Sequence, residues 1–559
     1  MQPTKPLALF LLLLATGTSC AQPLGKKPRL TMADTLRGSI TPERQWWDVL
    51  HYNIVIEPHE SSKTIAGKNT IRFQRSPGTL EQKQMQIDLQ HPMRIDSVLH
   101  RHTALSFTRR GNTYLVAWPL GNYPATDSIS IYFQGQPQAA KNPPWDGGWI
   151  WKEDRLKRPW VSVAVQGLGA SAWYPCKDHQ SDEPDSGAQL TVKIPNSLVA
   201  VSNGRLMNKK VISPEQISYT WAVKNPINSY NVVPYIGNYI NFGELYKGEK
   251  GDLICNYWVL DYNKEKAVKQ FTQVSMTLKA FEYWFGPFPW YEDGFKLVEA
   301  PHLGMEHQSA VAYGNKFGNG YLGNDLSGTG VGKKWDFIIV HEVGHEWFGN
   351  NITAKDIADM WIHEGFTSYS EVLFAEFHFG KKDANKYVQG IRKNIRNDMP
   401  IIGPYGVNRE GSSDMYYKGS NMIHTIRQVI DNDSVFRNIL RGLNKTFYHQ
   451  TVTTAAVENY ISKESRCDFS KVFDQYLRGT KIPQLQFKTN KGSISYQWAD
   501  CVNGFNMPVK VYLDKQQKDA LVLTPQRGVW KELRVAAGYD GSTFIVDPDF
   551  YVGSKRVAE

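Results

Sequence analysis

The chain has 559 residues, too many for one hydrophobic core and enough for about three domains. Hydrophobic residues make up 41% and charged residues 21%, which excludes a disordered or fibrous chain. The net charge of +10 raises the question of a polyanion partner, but Lys and Arg are spread without a long basic run and no nucleic-acid motif accompanies them, so nucleic acid is excluded as a partner.

Lys5 followed by the apolar run from Leu7 to Ala15 is the pattern of an export signal and is too short to span a membrane as a stable anchor. Ser19-Cys20-Ala21 fits cleavage after a small residue, giving a signal peptide over 1–21 and a linker over 22–46. A lipid anchor on Cys20 is the lesser alternative, because Gly17 stands three residues before it where Leu is usual. The expectation is an exported protein, periplasmic or extracellular, with an outer-membrane lipoprotein as the lesser alternative. No later stretch reaches the length of a span, so no transmembrane anchor is expected.

Residues 47–242 alternate apolar and polar side chains in short runs, as in Tyr52, Ile54, Ile56 and again Ile71, Phe73, which predicts a β-sheet domain. Within it the aromatic run from Pro143 to Trp151 either packs in a core or lines a cleft. Residues 243–484 carry helical periodicity and all of the metal-binding pattern described next. From 485 to 559 short alternating runs return (Val509, Val511, Leu513), which predicts a compact β-sandwich. The expected fold class is therefore multidomain α+β. Four cysteines remain after Cys20 (Cys176, Cys255, Cys467, Cys501), too few for a disulfide framework, although one or two bridges are compatible with an oxidising compartment.

The most informative pattern is His341-Glu342-Val343-Gly344-His345, followed after eighteen intervening residues by Glu364. Two His four apart share one helical face, and two imidazoles with one carboxylate are the ligand set of a catalytic zinc that keeps its fourth position open. The run Trp335, Phe337, Ile338, Ile339, Val340 buries the first helix. Glu364 opens a second, with Phe366, Tyr369, Val372, Leu373 and Phe377 at helical spacing and Gly380 to end it. Two core histidines with surface glutamates would be the bland alternative. Between Leu303 and this pattern, glycines at 314, 318, 320, 323, 328, 330 and 332 lack the Gly-Lys-Ser/Thr ending of a phosphate loop and read as a mobile loop at the cleft edge.

The stretch from His341 to Thr353, with Trp361-Ile-His-Glu-Gly-Phe366, resembles the aminopeptidase N family of zinc metallopeptidases, the gluzincin aminopeptidases. Leu303-Gly304-Met305-Glu306-His307 is similar to that family's Gly-x-Met-Glu-Asn motif, and Tyr416-Tyr417-Lys418-Gly419 to its Tyr-x-Lys-Gly. Gln166 stands nine residues before Pro175-Cys176, as the family's substrate-contacting Gln does. The departures are Leu303, His307 and His363, which replace a Gly and two Asn of the family pattern. They touch pocket shape and leave the reaction class intact.

The resemblance implies a thermolysin-like mixed α/β catalytic domain over 243–484 between an N-terminal β-sheet domain and a C-terminal β-sandwich. It implies one Zn2+ on His341, His345 and Glu364, with Glu342 as general base. Tyr416 is implied as the oxyanion donor, and Gln166, Gly304, Met305 and Glu306 as the groups that bind a peptide substrate by its free N-terminus. The family's large C-terminal helical domain has no counterpart in these 559 residues, which implies a short member with a cleft that is more open or covered by another subunit. Two other readings stand beside aminopeptidase action. Epoxide hydrolysis, known from the leukotriene-hydrolase branch, needs an Asp and a Tyr that a gapless count places at Asn408 and Gly411. A capture protein that had lost catalysis would be expected to lack a ligand or the base, and all four are present.

Overall fold

The computed structural model describes residues 29–76, 83–119, 121, 123–490 and 492–558. The expected signal peptide, with Cys20 in it, lies outside the described residues.

The described part of the expected 22–46 linker is folded. Thr31 N donates to Asp34 Oδ2 at 2.7 Å at the start of the helix Met32–Gly38, and Pro42 occupies the first turn of Pro42–Gln45. Arg44 is fully buried, pairs with Asp88, and donates to the carbonyls of Arg37 and Ser39 at 2.8 and 2.9 Å. A buried guanidinium satisfied in this way holds the segment down, and Asn408 N reaches back to Asp34 O at 3.2 Å from the helical domain.

The N-terminal domain is built on an eight-stranded sheet in which Trp47–His59 lies between antiparallel Thr64–Arg75 and parallel Ala188–Pro195. Along Trp47–His59 the residues Tyr52, Ile54 and Ile56 are buried and their neighbours are partly exposed, the period-two burial that one covered face demands. A four-stranded sheet joins Gly148–Glu153, Pro159–Ala164, Tyr235–Gly237 and Val199–Val201. Ala164 pairs with Gly148, so the chain leaves this sheet two residues before Gln166. The core of the domain continues into Val298, Ala300 and Met305 of the next one.

A five-stranded mixed sheet opens the second domain with Tyr239–Gly248, so the expected boundary at 242/243 falls inside a strand. The edge strand opposite Tyr239–Gly248 is Gly304–Met305, antiparallel to Val311–Tyr313. Helices Thr272–Phe285, Phe337–Gly344, Trp361–Phe379 and Tyr417–Ile430 pack behind it. After Gln484 the chain forms a four-stranded and a three-stranded sheet around Trp498, and one continuous core runs from the helices into Leu485, Trp498 and Phe505. Three units thus share two cores.

The glycine-rich stretch is pinned rather than loose. Asn315 Nδ2 donates to Gly320 O at 2.8 Å and to Asp336 Oδ1 at 2.7 Å, and Asp325 Oδ1 accepts from Ser327 N at 2.9 Å. Among the described residues no cysteine is bonded to another: Cys176, Cys255, Cys467 and Cys501 are free.

Candidate metal and amine site

The helix Phe337–Gly344 is set by its N-cap. Asp336 accepts from Ile338 N at 3.1 Å and also from Gln270 Nε2 and the Tyr313 hydroxyl, both at 2.7 Å. This fixes the rotation of the helix, so His341 and, at its C-cap, His345 face Glu364 on the helix Trp361–Phe379. Gly344 allows the approach, since a Cβ there would lie 2.5 Å from Ser370 Oγ. As expected, Gly380 ends the second helix, with φ +87°.

The three donor atoms form a triangle. His341 Nε2 is 3.3 Å from His345 Nε2, and Glu364 Oε2 is 3.7 and 3.4 Å from the two. Zinc–ligand bonds of about 2.0–2.1 Å in a tetrahedron require edges of about 3.3–3.4 Å, so one Zn2+ fits. The second contacts agree. His341 Nδ1 is 2.7 Å from Glu371 Oε1, and His345 Nδ1 donates to Phe348 O at 3.0 Å. Both rings therefore carry their proton on Nδ1 and turn an Nε2 lone pair toward a shared centre. Glu364 Oε2 is buried without a hydrogen-bond partner, as a ligand oxygen awaiting a cation would be. Glu371 accepts in turn from Tyr387 OH at 2.6 Å.

Glu342, next to His341 but turned toward the sheet, meets the edge strand. A Cβ on Gly304 would stand 2.6 Å from Glu342 Oε1, so the glycine is what lets this carboxylate reach the site. Burial pushes the Glu342 carboxyl up to about 7, the two histidines opposing and Glu306 and Glu364 reinforcing the shift. Carboxylate oxygens of Glu306 and Glu342 and a nitrogen of His345 all lie within 4.8 Å of one another.

Glu306 is buried, and its Oε1 accepts from Gln166 Nε2 at 2.5 Å and from Tyr230 OH at 2.9 Å. Its backbone carbonyl accepts from Asn350 Nδ2 at 2.8 Å, which ties the loop to the turn after His345. Glu346 adds a second tie, accepting from Ser309 N at 2.9 Å and Trp290 Nε1 at 2.5 Å.

The Tyr416-Tyr417-Lys418-Gly419 segment has a division of labour. The ring of Tyr416 lies 6.1 Å from that of His341, and burial, then Glu364, holds the phenol pKa well above its ordinary value. Lys418 Nζ donates to Gly479 O at 2.8 Å, and a Cβ on Gly419 would sit 3.0 Å from the Cα of Gly365, beside the ligand Glu364. The two departures from the family motifs that bring in histidine are buried and neutral. His363 Nε2 accepts from Ala354 N at 2.7 Å and is pushed down to about 3 by burial, and His307 Nδ1 is 2.6 Å from Tyr235 OH.

All nine residues singled out in the sequence therefore line one cleft of roughly 290 Å³. Sequence reasoning passed over Glu371 and Tyr230. Glu371 lies seven residues after Glu364, two turns on along the same face, and that spacing was a usable signal. Tyr230 sits in a short 3-10 turn, Ser229–Asn231, with no local pattern to mark it.

The peptidase family M1 domain matches residues 270–476. Aminopeptidase N of Bos taurus is 29% identical over 180 residues, covering 28% of this chain and 18% of that protein. Leukotriene A-4 hydrolase of Xenopus laevis is 23% identical over 333 residues (56% and 51%), and aminopeptidase B of Homo sapiens 25% over 252 residues (44% and 35%). The chain thus spans about half or less of the length of these curated relatives. In structure, an M1 zinc metallopeptidase from Deinococcus radiodurans superimposes with a TM-score of 0.65 at 18% identity, over 78% of this chain and 95% of that one.

Proposed function

From a chain whose residues 270–476 belong to peptidase family M1, we propose a zinc-dependent aminopeptidase that removes N-terminal residues from peptides. The observation that carries the reading is the placement of Glu306. A buried carboxylate within 4.8 Å of Glu342 and His345 leaves room for one residue between a bound α-ammonium and the peptide bond to be cut. Gln166 and Tyr230 orient that carboxylate from the N-terminal domain. The outermost strand Gly304–Met305 offers its free edge to the substrate backbone as an added strand.

His341, His345 and Glu364 would hold one Zn2+, which would supply a Lewis acid and lower the pKa of a bound water to about 7. Glu342, tuned by burial to about 7, takes the proton of the attacking water and passes it to the leaving amine. The Tyr416 phenol, kept protonated, donates to the oxyanion as the carbonyl becomes tetrahedral. Glu371 holds His341 in the ligating tautomer. The Deinococcus radiodurans M1 zinc metallopeptidase was also solved as a mutant bound to a Tyr-Ser-Ala substrate, which is in keeping with peptide substrates here.

Epoxide hydrolysis is the weaker reading, because a Cβ on Gly411 would stand 1.7 Å from Ile401 O and no side chain fits where that branch needs a Tyr. Export to the periplasm or the outside, with lipidation at Cys20 as the lesser alternative, is the remaining part of the proposal and rests on the sequence of residues 5–21. Among the described residues no helix is long and apolar enough to cross a membrane. Mass spectrometry of the mature N-terminus tests it: a start at Gln22 supports cleavage, and a diacylglyceryl Cys20 supports the anchor.

The activity is tested with aminoacyl chromogenic amides and their N-acetylated forms, before and after chelation, on the wild type and Glu342→Ala. Cleavage confined to the free-amine set and abolished by chelator and mutation is expected. Cleavage of the blocked set would make the protein an endopeptidase, and no cleavage with zinc bound would leave the capture-protein reading.

A further inference from the structure

Trp145 is a large apolar side chain left 49% exposed, and it lines the same cleft as Glu306 and His341. Its loop is rigid. Asp146 Oδ2 accepts from Lys141 N at 2.7 Å and Asn142 N at 2.9 Å, Trp145 N donates to Asn142 O at 3.1 Å, and Gly147 N to Pro144 O at 3.2 Å. Gly147 packs so tightly that a Cβ would meet Leu168 Cβ at 2.7 Å, and the strand that follows pairs Gly148 with Ala164. The loop is thereby fixed to the segment that carries Gln166. An indole fixed in place yet left open to solvent costs hydration free energy in the empty cleft and recovers it when an apolar group covers it.

Position decides which group that is. The side chain of a peptide's first residue branches from the carbon that bears the α-ammonium, so it lies beside whatever holds the ammonium. The loop that carries Trp145 is held against the segment that carries Gln166, Gly147 packing on Leu168, and Leu303, Leu326 and Phe337 line the same cleft. Of the five lining carboxylates, Glu364 and Glu371 sit on the histidines, Glu306 accepts from Gln166 and Tyr230, Glu410 is likewise not free, and Glu342 is the proposed base.

We propose that Trp145 is a specificity-determining residue of the aminopeptidase site, and that it selects peptides whose first side chain is bulky and apolar. The proposal rests on the reading of this cleft as an aminopeptidase site and adds the class of residue it prefers. Small first residues leave the indole wet and gain nothing from it, whereas a Phe or Leu side chain covers it. An apolar pocket wall of this size separates substrates by about tenfold.

The test measures binding apart from turnover. Glu342→Ala and Glu342→Ala/Trp145→Ala, both zinc-loaded, are titrated by calorimetry with Phe-Ser-Ala, Ala-Ser-Ala and Lys-Ser-Ala. The expected result is a Phe-over-Ala affinity ratio that falls about tenfold on loss of the indole and recovers in Glu342→Ala/Trp145→Phe. A ratio unchanged by Trp145→Ala overturns the proposal, as does a loss largest for the Lys peptide, which would make the indole a cation site. Thermal melting of the variants separates a folding failure from a lost contact, and Trp145→Phe, which keeps an aromatic ring, supplies the comparison if the alanine form is unstable. Selective binding without turnover in the wild-type protein would overturn only the catalytic reading, whereas turnover without selectivity would overturn only the role of Trp145.

Discussion

The two ends of the cleft are built in opposite ways. At the metal end His341, His345, Glu364 and Glu371 come from two adjacent helices of one domain, with ligands spaced by helical turns. At the amine end Gln166 and Tyr230 come from the N-terminal domain and Glu306 from a loop of the catalytic one, 140 and 76 residues apart in sequence. A metal needs bonds of fixed length, which neighbouring turns of a helix supply. Measuring one residue from a chain end, as proposed for this cleft, needs a wall facing the metal, and a second domain supplies one here.

The sharpest separation of the two ends comes from Glu342, the proposed base, which lies between them. Replacing Glu342 with Ala should lower kcat by about 10³-fold while zinc content, read by plasma mass spectrometry, stays at one per chain. A fall in zinc equal to the fall in rate would show that the residue belongs to the metal end alone. Glu306→Ala should cost about 10²-fold in kcat/KM on free-amine substrates, the scale of a lost charge-assisted pair, again with zinc retained. Glu371→Gln should do the reverse: zinc affinity, followed by competition with a chelator, weakens by about 10–100-fold, and turnover at saturating zinc is far less affected. Tyr230→Phe removes one of two donors to Glu306 and should raise KM by about tenfold, the low end of the worth of a hydrogen bond to a charged group. If it lowered zinc affinity instead, the separation of the ends would fail.

Acid provides the mildest probe. His302, close to the edge strand at the amine end, is pushed down to about 3 by burial, with the neighbouring Gly304 backbone opposing. A histidine depressed in the folded state stays neutral while the unfolded chain, near 6.5, takes up a proton, so stability is complete above about 6.5 and is lost as pH falls toward 3. The apparent Tm should decline below about pH 6.5, and the decline should be shallower in His302→Asn. An unchanged slope would assign the acid sensitivity to other buried groups.

The same contrast explains what could be read from the sequence. Ligands at helical spacing are a local pattern, so His341, His345 and Glu364 were visible at once, and Glu371 was visible in principle because seven residues span two turns. Caps are local too: Thr31 and Asp34, then Pro42, marked the helices in the span read as a linker and were passed over. Gln166 and Glu306 emerged only through family resemblance, since nothing near either residue states that the two will meet at 2.5 Å. Tyr230 had neither a pattern nor a motif. The boundary between the first two domains was misplaced into the strand Tyr239–Gly248 because that strand belongs to the second domain's sheet but follows a run of strands from the first.

The contact between Gly304 and Glu342 bears on redesign. Because a methyl group at 304 would press against the proposed base Glu342, the strand proposed to hold the substrate and the group proposed to hydrolyse it cannot be altered independently at that position. A library aimed at new substrates should leave 304 untouched and vary Trp145, Leu303 and Leu326, whose side chains border the cleft.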